Sequence, residues 1–260
     1  MINYQTLKVE IKDQVALLFL ARPEVHNALN GIMILEITDF FNFIENIKEI
    51  RIVVVRGLGK SFCSGADLGW MKNAFTLSEQ DNFKESEDLS TMFKTIYKSS
   101  KIVISAIHGN TYGGGTGIVA ASDLSYCLAD SRFALSETRL GMAAATITPY
   151  LLQKIQVADL KELIFTARSF NGEEAQALKL VNQAFETVEN MDLKISAVID
   201  QILSNGKQAL VESKTLINRL TEINIDPELE QIPKIFSRIR VSEEAREGFS
   251  AFLEKRKPRW

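Results

Sequence analysis

Two short stretches combine small residues in a pattern that could do chemistry: SFCSGADL (61–68) and YGGGTG (112–117). Each follows a β-branched run and each leads toward a helical stretch. Glycine at 113–115 lets something approach the backbone without meeting a Cβ. That something is a phosphate, another piece of chain or a reacting carbonyl. Backbone N–H groups at a helix start have no intrahelical acceptor and carry partial positive charge. Two such turns side by side could aim two N–H groups at one oxygen, which is an oxyanion hole. Taken singly, each reads as a structural tight turn.

Other local patterns do not complete. RGLGKSF (56–62) ends like a phosphate-binding loop, but Val54 stands where its first glycine belongs. Counting from Gly113 and Gly115, a dinucleotide fingerprint needs a third glycine where the chain has Ile118. GKSFC lacks the closing glycine of a nucleophile elbow. Cys63 and His108 could in principle pair as nucleophile and base. No local signature accompanies them, so they read as a turn residue and a strand-end histidine.

The elements that must position these turns follow from hydrophobic period. QVALLFLA (14–21), IRIVVVRG (50–57) and SKIVISAIHG (100–109) read as buried strands, and a further strand is expected over 124–129. Ile34, Ile37, Phe41, Ile44 and Ile47 recur at helical spacing. TLSEQDNFKESEDLS reads as a helix or a mobile loop, with Ser78 as a candidate N-cap. After the short RFALSE, a helix is expected around 145–155. SFNGEEAQALKLVNQAF reads as an Asn171-capped helix, a turn and a last strand. From about 191 onward the pattern is helical, with breaks at SNG (204–206) and IDPE (225–228). Strand–helix alternation followed by helices alone predicts an α/β core over 1–190 and a helical region over 191–260.

Composition narrows the function. The 260 residues are 46% hydrophobic, enough for one good-sized core. A net charge of −3 with mixed signs offers no field for nucleic acid or a membrane surface, so neither partner is expected. No apolar run reaches membrane-spanning length, and MINYQTLKVEIKD has no export pattern. With two cysteines and two histidines, neither a disulfide framework nor a His-rich metal site is expected. A cytoplasmic location is the expectation.

Six segments in order resemble the crotonase (enoyl-CoA hydratase/isomerase) superfamily: ARPEVHNALN (21–30), SFCSGADL, GNTYGGGTG, SETRLG (136–141), FNGEEAQALKLVN (170–182) and EGFSAFLEKRKP (247–258). The resemblance covers nearly the whole chain. It implies an α/β fold, a spiral of ββα units followed by a helical region that packs trimers, often paired into hexamers. It implies an acyl-CoA thioester as substrate, with coenzyme A entering as part of it and no other cofactor. The oxyanion hole would be the backbone N–H groups of Ala66 and Gly114. Arg22 and Val25 would lie along the CoA nucleotide, and Phe236 and Lys255 match carboxyl-terminal positions that contact CoA. Lys255, Arg256, Lys257 and Arg259 would offer charge to its phosphates. Asp67 and Leu68 lie in the substrate segment, Asp67 and Asp123 being read as turn and strand-start carboxylates. Trp70 and Met71 fall where the acyl-pocket wall begins.

Two-glutamate hydratases of this superfamily carry one glutamate two residues after the third glycine and another in the SE segment. This chain has Gly117 at the first place and Glu137 at the second. Glu137 is thus the motif-matched acid/base, and a dry acyl pocket is expected to raise its pKa. A single carboxylate here is what Δ3,Δ2-enoyl-CoA isomerases use. However, GGGTGIVAASD with SETRLGMAAATITPY is most similar to a bacterial branch assigned to hydrating branched 2-enoyl-CoAs of the 3-methylglutaconyl-CoA kind, in leucine or isoprenoid breakdown. Hydration is therefore the expectation and isomerisation the alternative. Gly117 is expected to leave room for a branched acyl chain, and Arg139 to meet a substrate carboxylate. An RNA-binding protein and a catalytically silent scaffold are the competing classes. The acidic balance weighs against the first, the retained Glu137, Ala66 and Gly114 against the second.

Overall fold

The computed structural model describes residues 3–221 and 225–259. The chain opens with a hairpin of strands β1 (Leu7–Lys12) and β2 (Val15–Leu20), then helix α1 (Gly31–Glu45) and strand β3 (Ile52–Gly57). Helices α2 (Leu68–Ala74) and α3 (Glu79–Lys98) precede strands β4 (Ile102–Ile107) and β5 (Asn110–Tyr112). Next come α4 (Gly114–Ala121), β6 (Leu124–Leu128), β7 (Arg132–Ala134), a 3-10 turn (Glu137–Leu140), α5 (Thr148–Leu151) and α6 (Val157–Thr166). Strand β8 (Ser169–Asn171), α7 (Gly172–Ala177) and β9 (Gln183–Phe185) complete the sheets. Helices α8 (Val188–Ser204), α9 (Lys207–Thr221), α10 (Ile225–Arg240) and α11 (Glu243–Leu253) follow.

The larger sheet has the order β1-β2-β3-β4-β6-β9, parallel except for the opening hairpin, and the smaller one the order β5-β7-β8. Residue pairs such as Val15↔Ile52, Ile52↔Ile102 and Ile104↔Leu124 set the parallel register. The chain visits the large sheet, crosses to the small one and returns through a helix: β4-β5-α4, then β6-β7 and the helices after it. Cys63, bridged to Thr111, takes the small-sheet place in the turn that begins with β3. This is a spiral of ββα units, and its α/β architecture is the one expected.

Both faces of the large sheet are covered, which explains the unbroken β-branched runs. On β3, Val53 and Val55 join the main core with Phe41, Met92 and Phe93, while Ile52 and Val54 face Met191, Ile195 and Val198 of α8. Capping fixes the helix starts as the sequence predicts. Ser78 accepts from the Asp81 amide and Asn171 from the Glu174 amide, each offsetting an orphan donor. Of TLSEQDNFKESEDLS, read as a helix or a mobile loop, the part from Glu79 on is helix and continues to Lys98.

Two expectations shift. The helix around 145–155 contracts to Thr148–Leu151, which begins at Pro149's own turn. The IDPE break is instead the opening of α10, with Pro227 in its first turn where a missing N–H costs nothing. Strand β1, whose residues alternate in LKVEIK, and helix α6 were not expected. Cys63 and His108 form no pair, in line with their reading as a turn residue and a strand-end histidine. Cys63 is fully buried with its thiol pushed up to about 12 by burial, and His108 Nε2 lies 2.9 Å from the Gly59 carbonyl oxygen.

Phe133 of β7 is fully buried and stacks on Phe170 of β8 with ring centroids 5.5 Å apart. Phe133→Ala should cost about 3–5 kcal/mol, read as a lower denaturation midpoint at unchanged m-value.

Candidate active site

β3 and β4 are parallel neighbours, so the loops that leave them emerge at one edge of the sheet. Backbone hydrogen bonds stitch these loops together. Phe62 N–H donates to His108 O (2.9 Å), Cys63 N–H to Asn110 O (3.2 Å) and Tyr112 N–H to Cys63 O (3.0 Å). Gly65 and Gly113 meet where the loops turn. A Cβ on Gly65 would lie 3.0 Å from the Tyr112 carbonyl oxygen and 3.9 Å from Gly113 Cα. Their φ values of +92° and +47° are ones that side chains rarely adopt.

The direction of the Ala66 amide follows from its bridge to Leu29. Leu29 N–H donates to Gly65 O at 2.7 Å, and Asp67 N–H donates to Leu29 O at 2.9 Å. In such a parallel bridge the middle residue's own N–H points the other way. Ala66 N–H is therefore turned away from Leu29. Gly114 is the first residue of α4, where an amide has no intrahelical acceptor. Both residues line one cavity of about 520 Å³.

Glu137 closes the same cavity. A Cβ on Gly113 would sit 3.1 Å from Glu137 Oε1, so the carboxyl abuts the second turn. The residue as a whole is half-buried, yet its Oε2 is fully covered and has no hydrogen-bond partner among the described residues. Burial pushes its pKa up to about 7, opposed in part by a hydrogen bond from its own backbone N–H. Near neutral pH such a carboxyl can both take and give a proton. Helix α11 holds the 137–140 turn in place: a Cβ on Gly248 would lie 2.5 Å from the Leu140 carbonyl carbon. Two backbone amides on one cavity and one dry carboxyl suit a thioester whose oxygen gains charge while a proton moves at carbon.

The chain matches the enoyl-CoA hydratase/isomerase family over residues 10–260. It belongs to that family. A peroxisomal Δ(3,5)-Δ(2,4)-dienoyl-CoA isomerase of Arabidopsis thaliana is 30% identical over 271 residues, 99% of this chain and 98% of the relative. A short-chain-enoyl-CoA hydratase of Clostridium acetobutylicum is 32% identical over 251 residues, 96% of this chain and 95% of the relative. The crystal structure of an enoyl-CoA hydratase from Mycobacterium avium superposes with a TM-score of 0.87 at 29% identity, covering 98% of both chains. The spiral described above is thus the crotonase fold, and the protein is an enzyme of the enoyl-CoA hydratase/isomerase family.

Within this family site, the residues expected from sequence divide into two groups. Leu68, Arg139 and Phe236 line the cavity with Ala66, Gly114 and Glu137, and so do Trp70 and Met71. Arg22, Val25, Asp67 and Lys255 lie outside its lining. Arg22 donates to Ala28 O at 2.6 Å and pairs with Asp67 at 2.9 Å, tying the loop before α1 to the start of α2. The other Asp67 oxygen caps α2 through Gly69 N–H at 2.8 Å. Asp123 is likewise structural, accepting from Val103 N–H and pairing with Lys214, each at 2.7 Å. Val25 and Lys255 are exposed, while Arg256 is committed to Glu247 and Glu254. Sequence reasoning missed Asn27, which is fully buried and fastens the same loop to Leu58 O and Ser61 O, both at 2.8 Å. Its signal was a polar residue set directly before the apolar pair Ala28 and Leu29 on the approach to α1.

One family expectation is overturned. Gly117 does not leave room for an acyl chain: a Cβ there would lie 2.3 Å from Ile147 Cγ2 and 2.7 Å from Phe93 Cε1. The place of the second glutamate is filled by apolar packing. Among the described residues there is also no cluster of metal-ligating side chains, and no helix long and apolar enough to cross a membrane.

Two outcomes follow from this packing. Gly117→Glu should destabilise the fold by about 1–3 kcal/mol or more without raising turnover, because the carboxylate must displace Phe93 or Ile147. Glu137 binds its proton more tightly folded than unfolded, so stability falls as pH rises from about 4.5 to about 7 and is level above. Glu137→Gln removes that loss. The variant should match the parent near pH 4 and exceed it above pH 7 by on the order of 3 kcal/mol in denaturant titrations.

Proposed function

We propose that the chain hydrates a 2-enoyl-CoA whose acyl group is short, branched and carboxylated, of the 3-methylglutaconyl-CoA type. The observation that carries the acyl assignment is Arg139. It lines the cavity two residues from Glu137, and no carboxylate pairs with it among the described residues. An unpaired guanidinium beside an acyl site favours a carboxylate on the substrate.

In this reading the thioester oxygen accepts hydrogen bonds from Ala66 N–H and Gly114 N–H. Ionised Glu137 takes a proton from water as its oxygen bonds to C3. The electron pair of the double bond moves through C2 onto the thioester oxygen, giving an enolate held by the two amides. Glu137 then returns the proton to C2, so H and OH are added and the carboxylate is regenerated. Ser136 and Thr146, also in the lining, bring hydroxyls that orient the water. Coenzyme A enters with the substrate and no further cofactor is invoked. The protein acts on free acyl-CoA in the cytoplasm as a trimer or a dimer of trimers, with residues 1–190 as its catalytic spiral and 191–260 as its assembling region.

A second reading is Δ3,Δ2-isomerisation, and the apolar plug at Gly117 favours it. With no second carboxyl to hold water, Glu137 alone can carry a proton from C2 to C4 while the same two amides hold the enolate.

The ultraviolet absorbance of 3-methylglutaconyl-CoA separates the two. Hydration predicts a fall with the parent enzyme and none with Glu137→Gln, whose rate should drop about 10²–10⁴-fold. No fall, together with rising absorbance on a 3-enoyl-CoA, would transfer the assignment to isomerisation. Because the reacting form is the carboxylate, kcat/KM should decline below about pH 7 along a single limb that Glu137→Gln abolishes. Arg139→Ala should lower the preference for glutaconyl over crotonyl substrates about tenfold or more, since a charge-assisted pair contributes roughly 1.5–3 kcal/mol.

A further inference from the structure

Trp70 and Phe236 form part of the cavity wall, from α2 and α10 respectively. Directly behind them lies a charge that the reaction does not use. Arg240, in the last turn of α10, is only 2% exposed, and its guanidinium carbon lies 4.0 Å from the Trp70 ring centroid and 6.0 Å from that of Phe236. Its Nη2 lies 2.9 Å from Glu85 Oε2 of α3 and donates to the Trp70 carbonyl oxygen at 3.2 Å. One turn earlier on each helix, Asn82 donates to Ser237 O at 2.7 Å. The α3–α10 seam is therefore pinned twice, and the upper pin reaches through to the aromatic wall.

This is an uneconomical way to fill space. Burying a guanidinium is costly unless it is paired, and here Nε and Nη1 find no acceptor among the described residues. An apolar side chain would fill the volume without that cost. What a guanidinium adds is a flat, rigid plate that attracts aromatic faces and fixes their angle. With the acyl group in this cavity, that wall bounds the space left for the chain.

We propose that Arg240 is a positioning residue for acyl-chain selection: stacked behind Trp70 and Phe236 and tethered to Glu85, it holds both rings as a fixed back wall. This rests on the reading that the cavity takes the acyl group, and it is the same for hydration and isomerisation. Without Arg240 the rings gain freedom to swing, and the cavity admits longer chains.

The test is binding of saturated acyl-CoA esters, butyryl-CoA beside decanoyl-CoA, to the full chain by calorimetry. Arg240→Met combined with Glu85→Gln removes the plate without stranding its partner, and Arg240→Lys keeps charge but loses the plate. The expected result is that the ratio of decanoyl to butyryl affinity rises about tenfold in the double variant, with Arg240→Lys also shifted and butyryl affinity nearly unchanged. A merely structural role weakens both ligands alike and leaves the ratio where it was, which overturns the proposal while sparing the assignment of the cavity. Failure of the parent protein to bind either ester overturns both.

Discussion

Everything in this fold serves the contact between two strand-to-helix turns, at Gly65 and Gly113. Two backbone amides can be aimed at one oxygen only if the chains that carry them approach closer than side chains allow. The stitched loops bring the two turns together, and the Leu29–Ala66 bridge turns the Ala66 amide away from Leu29. Neither amide depends on a side chain, so the device is as rigid as the backbone around it. The parallel register of β3 and β4 supplies that rigidity, and burial on both faces of the sheet supplies the stability.

Against this fixed pair of donors, the chain sets a single carboxyl under tension. Glu137 is dry enough to favour its neutral form and has an oxygen with no partner among the described residues, an expense that a purely structural residue would avoid. Its 3-10 turn is braced from outside by α11, whose Gly248 allows backbone-to-backbone contact with Leu140. The carboxyl-terminal helices therefore reach the cavity in two ways: α11 braces the Glu137 turn, and α10 contributes Phe236 to the wall. With Phe93 and Ile147 sealing Gly117, Glu137 is the one acid lining the cavity among the described residues.

How much of this could be read from the sequence depended on the range of the cause. Strands β2, β3, β4 and β6 and the caps at Ser78 and Asn171 are local signals, and they were legible. So were the two glycine turns and Glu137, because order along the chain carried the family pattern. The fate of Gly117 was not legible, since Phe93 and Ile147 reach it from distant segments and nothing near 117 announces them. Arg22 illustrates the same limit: its pairing with Asp67, 45 residues away, ties two loops together and leaves no local mark in the sequence. Arg240 was invisible for a further reason, because a buried arginine in an amphipathic helix has the same pattern as an exposed one.

The most direct measurement of the central claim is the carbonyl stretch of a bound thioester. Isotope-edited infrared difference spectra of crotonyl-CoA labelled at the thioester carbon report the field of the two amides at the oxygen itself. The account predicts a shift to lower frequency on binding that persists in Glu137→Gln, because backbone N–H groups cause it. An unshifted band in a complex shown to be saturated would contradict the assignment of Ala66 and Gly114 as the oxyanion hole.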